Sequence, residues 1–216
     1  MIRDLSETLQ AILDDPKLGK EKSFKKLVEA QVAFERPSEQ FNPSQTTLDL
    51  FLFDIRENVL LRDKEPVIER LKGKAVIRRP PMRVDCSYLL TAWAAGGTGP
   101  ELVLEEHDLL GRAMQVLARY PTIPDRFLRG SLKQQGRPVP LSVGGTNRDE
   151  MKDPADFWSA LGNKLRPALI VTATLELQTS GPDVTAPLVQ TEHLRLGLRD
   201  PGAETGLVKE TTEEVP

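Results

Sequence analysis

The sequence predicts an α/β (α+β) fold in a single domain: a mixed β-sheet packed by one long helix and a shorter N-terminal helix. Three observations carry that expectation. The stretches TTLDLFLFDI (46–55), MRVDCSYLLTAWA (82–94) and ALIVTATLELQ (168–178) have the alternating or β-branched apolar pattern of buried strands. Residues 101–120 carry an apolar stripe at helical spacing, and residues 2–13 repeat that spacing in a shorter form. Turn-forming Gly and Pro clusters lie between these segments, so strands and helices are interleaved along the chain.

In the first segment, Ile2, Leu5, Leu9, Ile12 and Leu13 fall on one helical face, and Asp14-Asp15-Pro16 ends it. Within 27–34, Val28, Val32 and Phe34 fit a strand. In 46–55, Leu48, Leu50 and Leu52 share one face while Phe51, Phe53 and Ile55 share the other. Both faces are apolar, so this strand belongs inside a sheet. After a turn at Arg56-Glu57-Asn58, residues 59–62 read as a short partner strand, and the charged residues 63–81 as a long loop or arm. In 82–94, Met82, Val84, Cys86, Tyr88 and Leu90 alternate onto one face.

Gly96-Gly97-Thr98-Gly99-Pro100 breaks the chain before the long helix, whose stripe is Leu102, Leu109, Leu110, Ala113, Leu117 and Tyr120. Acids load its first half and arginines its end, as the helix dipole favours, and Pro121 stops it. Residues 139–143 read as a strand, 156–161 as a short amphipathic helix, and 184–198 as further extended chain. Residues 201–216 are acidic and rich in Gly and Thr, which reads as a flexible tail.

The chain has 216 residues, a formal net charge of −3, 39% hydrophobic residues and 28% charged ones. That composition is globular and offers no basic excess for nucleic acid. The clusters at Lys20–Lys26 and Arg78-Arg79 lie among acids and read as solvated surface. A single cysteine, Cys86, excludes an internal disulfide. The opening residues lack a signal-peptide pattern, and no apolar run reaches membrane-spanning length, so cytoplasmic synthesis is expected.

Catalytic chemistry finds little footing. Only His107 and His193 could act as imidazole bases, and Ser142-Val143-Gly144-Gly145 is not a nucleophile elbow. Cys86, mid-strand on the apolar face, reads as a buried structural thiol. Glu105, Glu106, His107 and Asp108 are consecutive on a helix and point in different directions, so they cannot converge on one metal. The 96–100 loop sits between strand and helix as a phosphate loop would. It lacks the Lys-Ser/Thr pair, and Pro100 removes a backbone donor. No catalytic residue, cofactor or metal is therefore expected, and the chain reads as a non-enzyme.

Five blocks together resemble a known family: IRDLSETLQAIL, TTLDLFLFDIRENVLLR, PPMRVDCSYLLTAWA, EHDLLGRAMQVLARYPTIP and DFWSALGNKLRPALIVTATLEL. Their order and spacing, across roughly residues 2–195, are similar to the N-terminal domain of cap proteins from extracellular contractile injection systems. These are of the antifeeding-prophage and Photorhabdus-virulence-cassette type. The resemblance implies a tail-terminator-like domain over 1–199 followed by a flexible acidic tail over 200–216. It implies a structural subunit whose six copies form a ring. That ring would end tube and sheath polymerisation at the end of the particle distal to the baseplate. The implied partners are the chain itself, as a homo-hexamer, and the sheath and inner-tube proteins, with no nucleic acid and no membrane span. The particle would be assembled in the cytoplasm of the producing cell.

Such a ring needs self-complementary contacts. A segment added to a neighbour's sheet is one natural form, and Val184, Leu188, Val189, Leu194 and Leu196 are the candidates there. Arg78 and Arg79, in the arm 62–81, are candidates for a second contact. Two other readings compete. One is a baseplate or tube adaptor of the same machine, and the other a small-molecule-binding α/β domain.

Overall fold

The structure is a computed structural model. It describes residues 1–63, 65–71, 74–96, 99–144, 154–162, 164–178, 184–187, 191–197 and 208–214. Its helices are α1 (Ile2–Leu13), α2 (Lys25–Glu29), α3 (Pro100–Ala118) and α4 (Pro154–Ala160). Its strands are β1 (Gln31–Ala33), β2 (Thr47–Glu57), β3 (Val67–Leu71), β4 (Lys74–Arg78), β5 (Met82–Trp93), β6 (Leu141–Val143), β7 (Leu169–Leu177), β8 (Val184–Pro187), β9 (Thr191–Gly197) and β10 (Val208–Glu214). The chain divides into two compact units: Met1–Arg62 with Met82–Leu177, and Asp63–Pro81 with Gln178–Pro216.

In the first unit, five strands form a mixed sheet in the order β1-β2-β5-β7-β6. Only β1 runs parallel to its neighbour; the other pairs are antiparallel. The β2–β5 register runs from Thr47 opposite Trp93 to Glu57 opposite Val84, with a bulge at Phe53. As the doubly apolar pattern requires, β2 lies inside the sheet.

One face of this sheet makes the core. Cys86, Tyr88 and Leu90 of β5 are buried with Val171, Ala173 and Leu175 of β7. Against them lie Leu5, Leu9 and Ile12 of α1 and Leu109, Ala113, Val116 and Leu117 of α3. Burying a side chain of this size contributes about 1.5–3 kcal/mol. Polar ties fix the layers. The hydroxyls of Ser6 and Tyr88 are 2.9 Å apart, joining α1 to β5. Gly130 has φ +49, and a Cβ there would lie 2.4 Å from the Asp4 carboxyl, which accepts from the backbone N–H and hydroxyl of Ser131. Glycine is required on both counts. Across β5 and β7, Arg83 donates to Glu176 at 2.6 Å, with both side chains about nineteen-twentieths buried.

In the second unit, β3 and β4 pair as an antiparallel hairpin, Val67 opposite Arg78. The strand β8 joins the other edge of β4, Val184 opposite Ile77. Separately, β9 and β10 pair antiparallel, Thr191 opposite Glu214.

Four local expectations are corrected. Residues 59–62 do not return as a strand. Val59–Leu61 is a 3-10 turn, because the Asn58 side chain accepts from the Leu61 N–H at 3.1 Å and closes the chain on itself. Residues 63–81 are not a loop but hold β3 and β4. In 27–34 only Gln31–Ala33 is extended, because Lys25–Glu29 is helical. The stretch expected as a flexible acidic tail contains β10.

Candidate contact surface

The candidate contact residues fall in the second unit. Arg78 ends β4 and pairs with Glu69 of β3 at 2.9 Å, with both side chains about half exposed. Arg79 follows the strand and is exposed. Val184 opens β8 and is 59% exposed although it pairs with Ile77. Leu194 and Leu196 stand in β9 opposite Thr211 and Lys209. Leu188 and Val189 lie outside the described residues. The structure therefore brings Arg78 and Val184 to one small sheet, and Leu194 and Leu196 to another. Among the described residues, β8 is paired on one side only in the first of these sheets, as is β3. Such a strand presents free backbone donors and acceptors to a partner.

Sequence reasoning missed the most exposed apolar group among the described residues of the first unit. Val59, Leu60 and Leu61 are 64%, 96% and 44% exposed on their 3-10 turn, beside half-exposed Ile55. The turn is held from beneath. The Asn58 side-chain N–H donates to Asp85 at 2.9 Å, and the Thr174 hydroxyl donates to the other Asp85 oxygen at 2.6 Å. Arg62 and Glu57 clamp its ends through two bonds of 2.7 and 2.5 Å, which holds the Glu57 carboxyl below its usual range. Three apolar side chains are thus displayed on a fixed backbone at the end of the sheet. This is the arrangement expected of contact anchors. The available signal is three consecutive apolar residues between Asn58 and Arg62, a pattern that a short strand fits equally well.

The chemistry of the interior is that of structure. Burial pushes the Cys86 thiol up to about 11 and the Tyr88 hydroxyl up to about 12. Burial likewise pushes Asp49, opposite Thr91 in the β2–β5 ladder, up to about 7. The Glu35 N–H donating at 2.8 Å works against that shift, and the Glu35 charge adds to it. Three acids of α3 are separately engaged: Glu106 with Arg166 at 2.8 Å, Asp108 with Arg112 at 2.7 Å and Glu105 with Lys26 at 3.9 Å. Among the described residues no group of three His, Cys, Asp or Glu could hold a metal. No described helix is long and apolar enough to cross a membrane. Pro100 lies in the first turn of α3, where its missing N–H costs nothing.

Residues 4–192 match the family described as the Pvc16 N-terminal domain. No curated protein sequence matches the chain. Two solved structures share its fold. One is the sheath/tube terminator of the PVC extracellular contractile injection system in its extended state. It has a TM-score of 0.60 and 19% identity, covering 88% of this chain and 60% of that one. The other is the tube-terminating cap of the anti-feeding prophage, with a TM-score of 0.55 and 21% identity, covering 75% of this chain and 53% of that one. The chain thus spans somewhat over half the length of each. The mixed sheet with its long and short helices is the architecture of these terminators, as the sequence predicts.

Proposed function

The chain belongs to the Pvc16 N-terminal domain family, and on that premise we propose that it is a cap subunit of a contractile injection system. In this reading copies of the chain close into a ring of six that ends tube and sheath polymerisation and stabilises the particle. The observation that carries the proposal is the fold shared with a sheath/tube terminator over 88% of the chain. The interior agrees with a structural role. Its thiol is buried and pushed away from the reactive thiolate, and three acids of α3 are divided among separate cations. The protein acts by shape and contact, without a cofactor.

A terminator must bind the growing end on one side and offer no polymerising surface on the other. A closed ring needs head-to-tail contacts between unlike patches. The rigid Val59-Leu60-Leu61 turn supplies one apolar patch in the first unit. The strand β8 with Val184, and β9 with Leu194 and Leu196, supply strands for sheet addition to a neighbour or to the sheath, with Leu188 and Val189 as further candidate contacts. Arg78 ends β4, the strand paired with β8, and Arg79 follows it. Synthesis in the cytoplasm and incorporation at the end distal to the baseplate complete the picture.

Its competitor is a baseplate or tube adaptor in the same machine. Gold labelling of a tagged full-length chain in intact particles separates the two. Label at the end distal to the baseplate supports the cap, and label at the baseplate replaces it with the adaptor.

A further inference from the structure

The first unit holds a cavity of about 660 Å³ that the contact residues above do not use. It is lined by Arg126, Lys133 and Arg137 against one acid, Asp125, over an apolar floor of Leu128 and Leu132. The surrounding stretch 126–137 carries four cations, Arg126, Arg129, Lys133 and Arg137, and no acid.

Arg126 and Arg137 are held in place. Arg126 donates to the Tyr120 hydroxyl at 3.0 Å and lies 4.4 Å from the Phe127 ring centre. Arg137 stands 3.7 Å from Glu176, a carboxylate already engaged by Arg83 and by the Gly136 N–H at 3.0 Å. Lys133 is exposed and has no ion-pair partner among the described residues. A walled recess with fixed cations concentrates anions far better than the same charges on a flat surface. Its size suits several side chains of a peptide.

The complementary charge is in the same sequence. Residues 200–216 carry five acids, Asp200, Glu204, Glu210, Glu213 and Glu214, against Lys209 alone. We propose that the Arg126–Lys133–Arg137 recess of one copy receives the acidic segment 200–214 of a neighbouring copy, so that each subunit latches the next by carboxylate–cation pairing. This rests on the ring reading above. It adds a specific donor and acceptor, unlike patches of the kind a closed ring requires. Contacts of this type set register and association rate and weaken with salt.

Two full-length variants with different tags, Lys133→Cys and Glu213→Cys, test it. They are mixed, allowed to assemble and treated with a short bismaleimide. Cys86 is buried in both and serves as the unreactive background. The proposal expects a mixed-tag linked dimer at least about tenfold above the Lys133→Cys and wild-type mixture, because docking raises the local thiol concentration. It expects Lys133→Glu to weaken self-association about tenfold at low salt, with recovery when the partner carries Glu213→Lys and Glu214→Lys. Oligomers that form normally but yield no mixed dimer overturn the latch while sparing the ring. Linkage confined to one chain in the double variant Lys133→Cys/Glu213→Cys overturns it in favour of an internal contact. A chain that stays monomeric at all concentrations overturns both the latch and the ring.

Discussion

Asp49 offers a sharp test of the sheet register and its packing. Its carboxyl is fully buried between β1 and β5, accepts one backbone N–H from Glu35, and faces Thr91. Folding raises its pKa from an ordinary value of 3.8 to about 7, chiefly through burial. Between those values the unfolded chain gives up the proton and the folded chain keeps it, so stability falls as pH rises from about 4 to about 7 and then levels off. A shift of this size corresponds to about 4 kcal/mol at saturation. Asp49→Asn keeps the shape and the acceptor but cannot ionise. It should match the wild type near pH 4 and become the more stable protein as pH rises. The gap should widen by roughly 2–3 kcal/mol between pH 5 and pH 8. Urea unfolding of both proteins across that range measures it. A gap that does not change with pH would refute the burial of an ionisable Asp49 in this register.

Three further outcomes follow from the same packing. Arg83→Met should cost about 3–5 kcal/mol in urea unfolding, because it leaves the Glu176 charge buried with only the Gly136 N–H and the more distant Arg137 as partners. Leu60→Asp, at a side chain 96% exposed, should change stability by less than about 0.5 kcal/mol yet abolish incorporation into particles, read by blotting purified particles. Cys86 should resist thiol reagents in the native protein and react at once in denaturant, since its thiol is buried and pushed up to about 11.

The central sheet was legible because its strands are uniformly apolar where they meet. The alternation of Met82 to Leu90, the two apolar faces of β2 and the β-branched centre of β7 each appear as a strand, within a residue or two at the ends. The stripe of α3 was legible for the same reason: its buried residues Leu109, Leu110, Ala113 and Leu117 follow helical spacing. The second unit was not. In VIERL both strand faces mix apolar residues with charges, and in KAVIR Val76 shares its face with Lys74 and Arg78, so no long period of two stands out and the stretch reads as a solvated arm. Side-chain-to-backbone bonds are equally hidden. Nothing in the hydrophobic pattern announces that Asn58 will close a turn and turn Val59-Leu60-Leu61 outward. Contacts between copies are hidden for a related reason. Interfaces between copies are shaped by exposed residues, and exposure leaves no periodic trace in a single sequence. The cationic recess was invisible for a third reason: its residues come from a short 3-10 turn, Gly130–Gln134, and the irregular chain around it, which leave no periodic pattern.

The most direct test of the cap reading is electron microscopy of particles from cells lacking this chain. A terminator sets where polymerisation stops, so overlong, ragged or absent particles are expected, with uniform length restored by supplying the full chain. Particles of normal, uniform length with a closed distal end would contradict it.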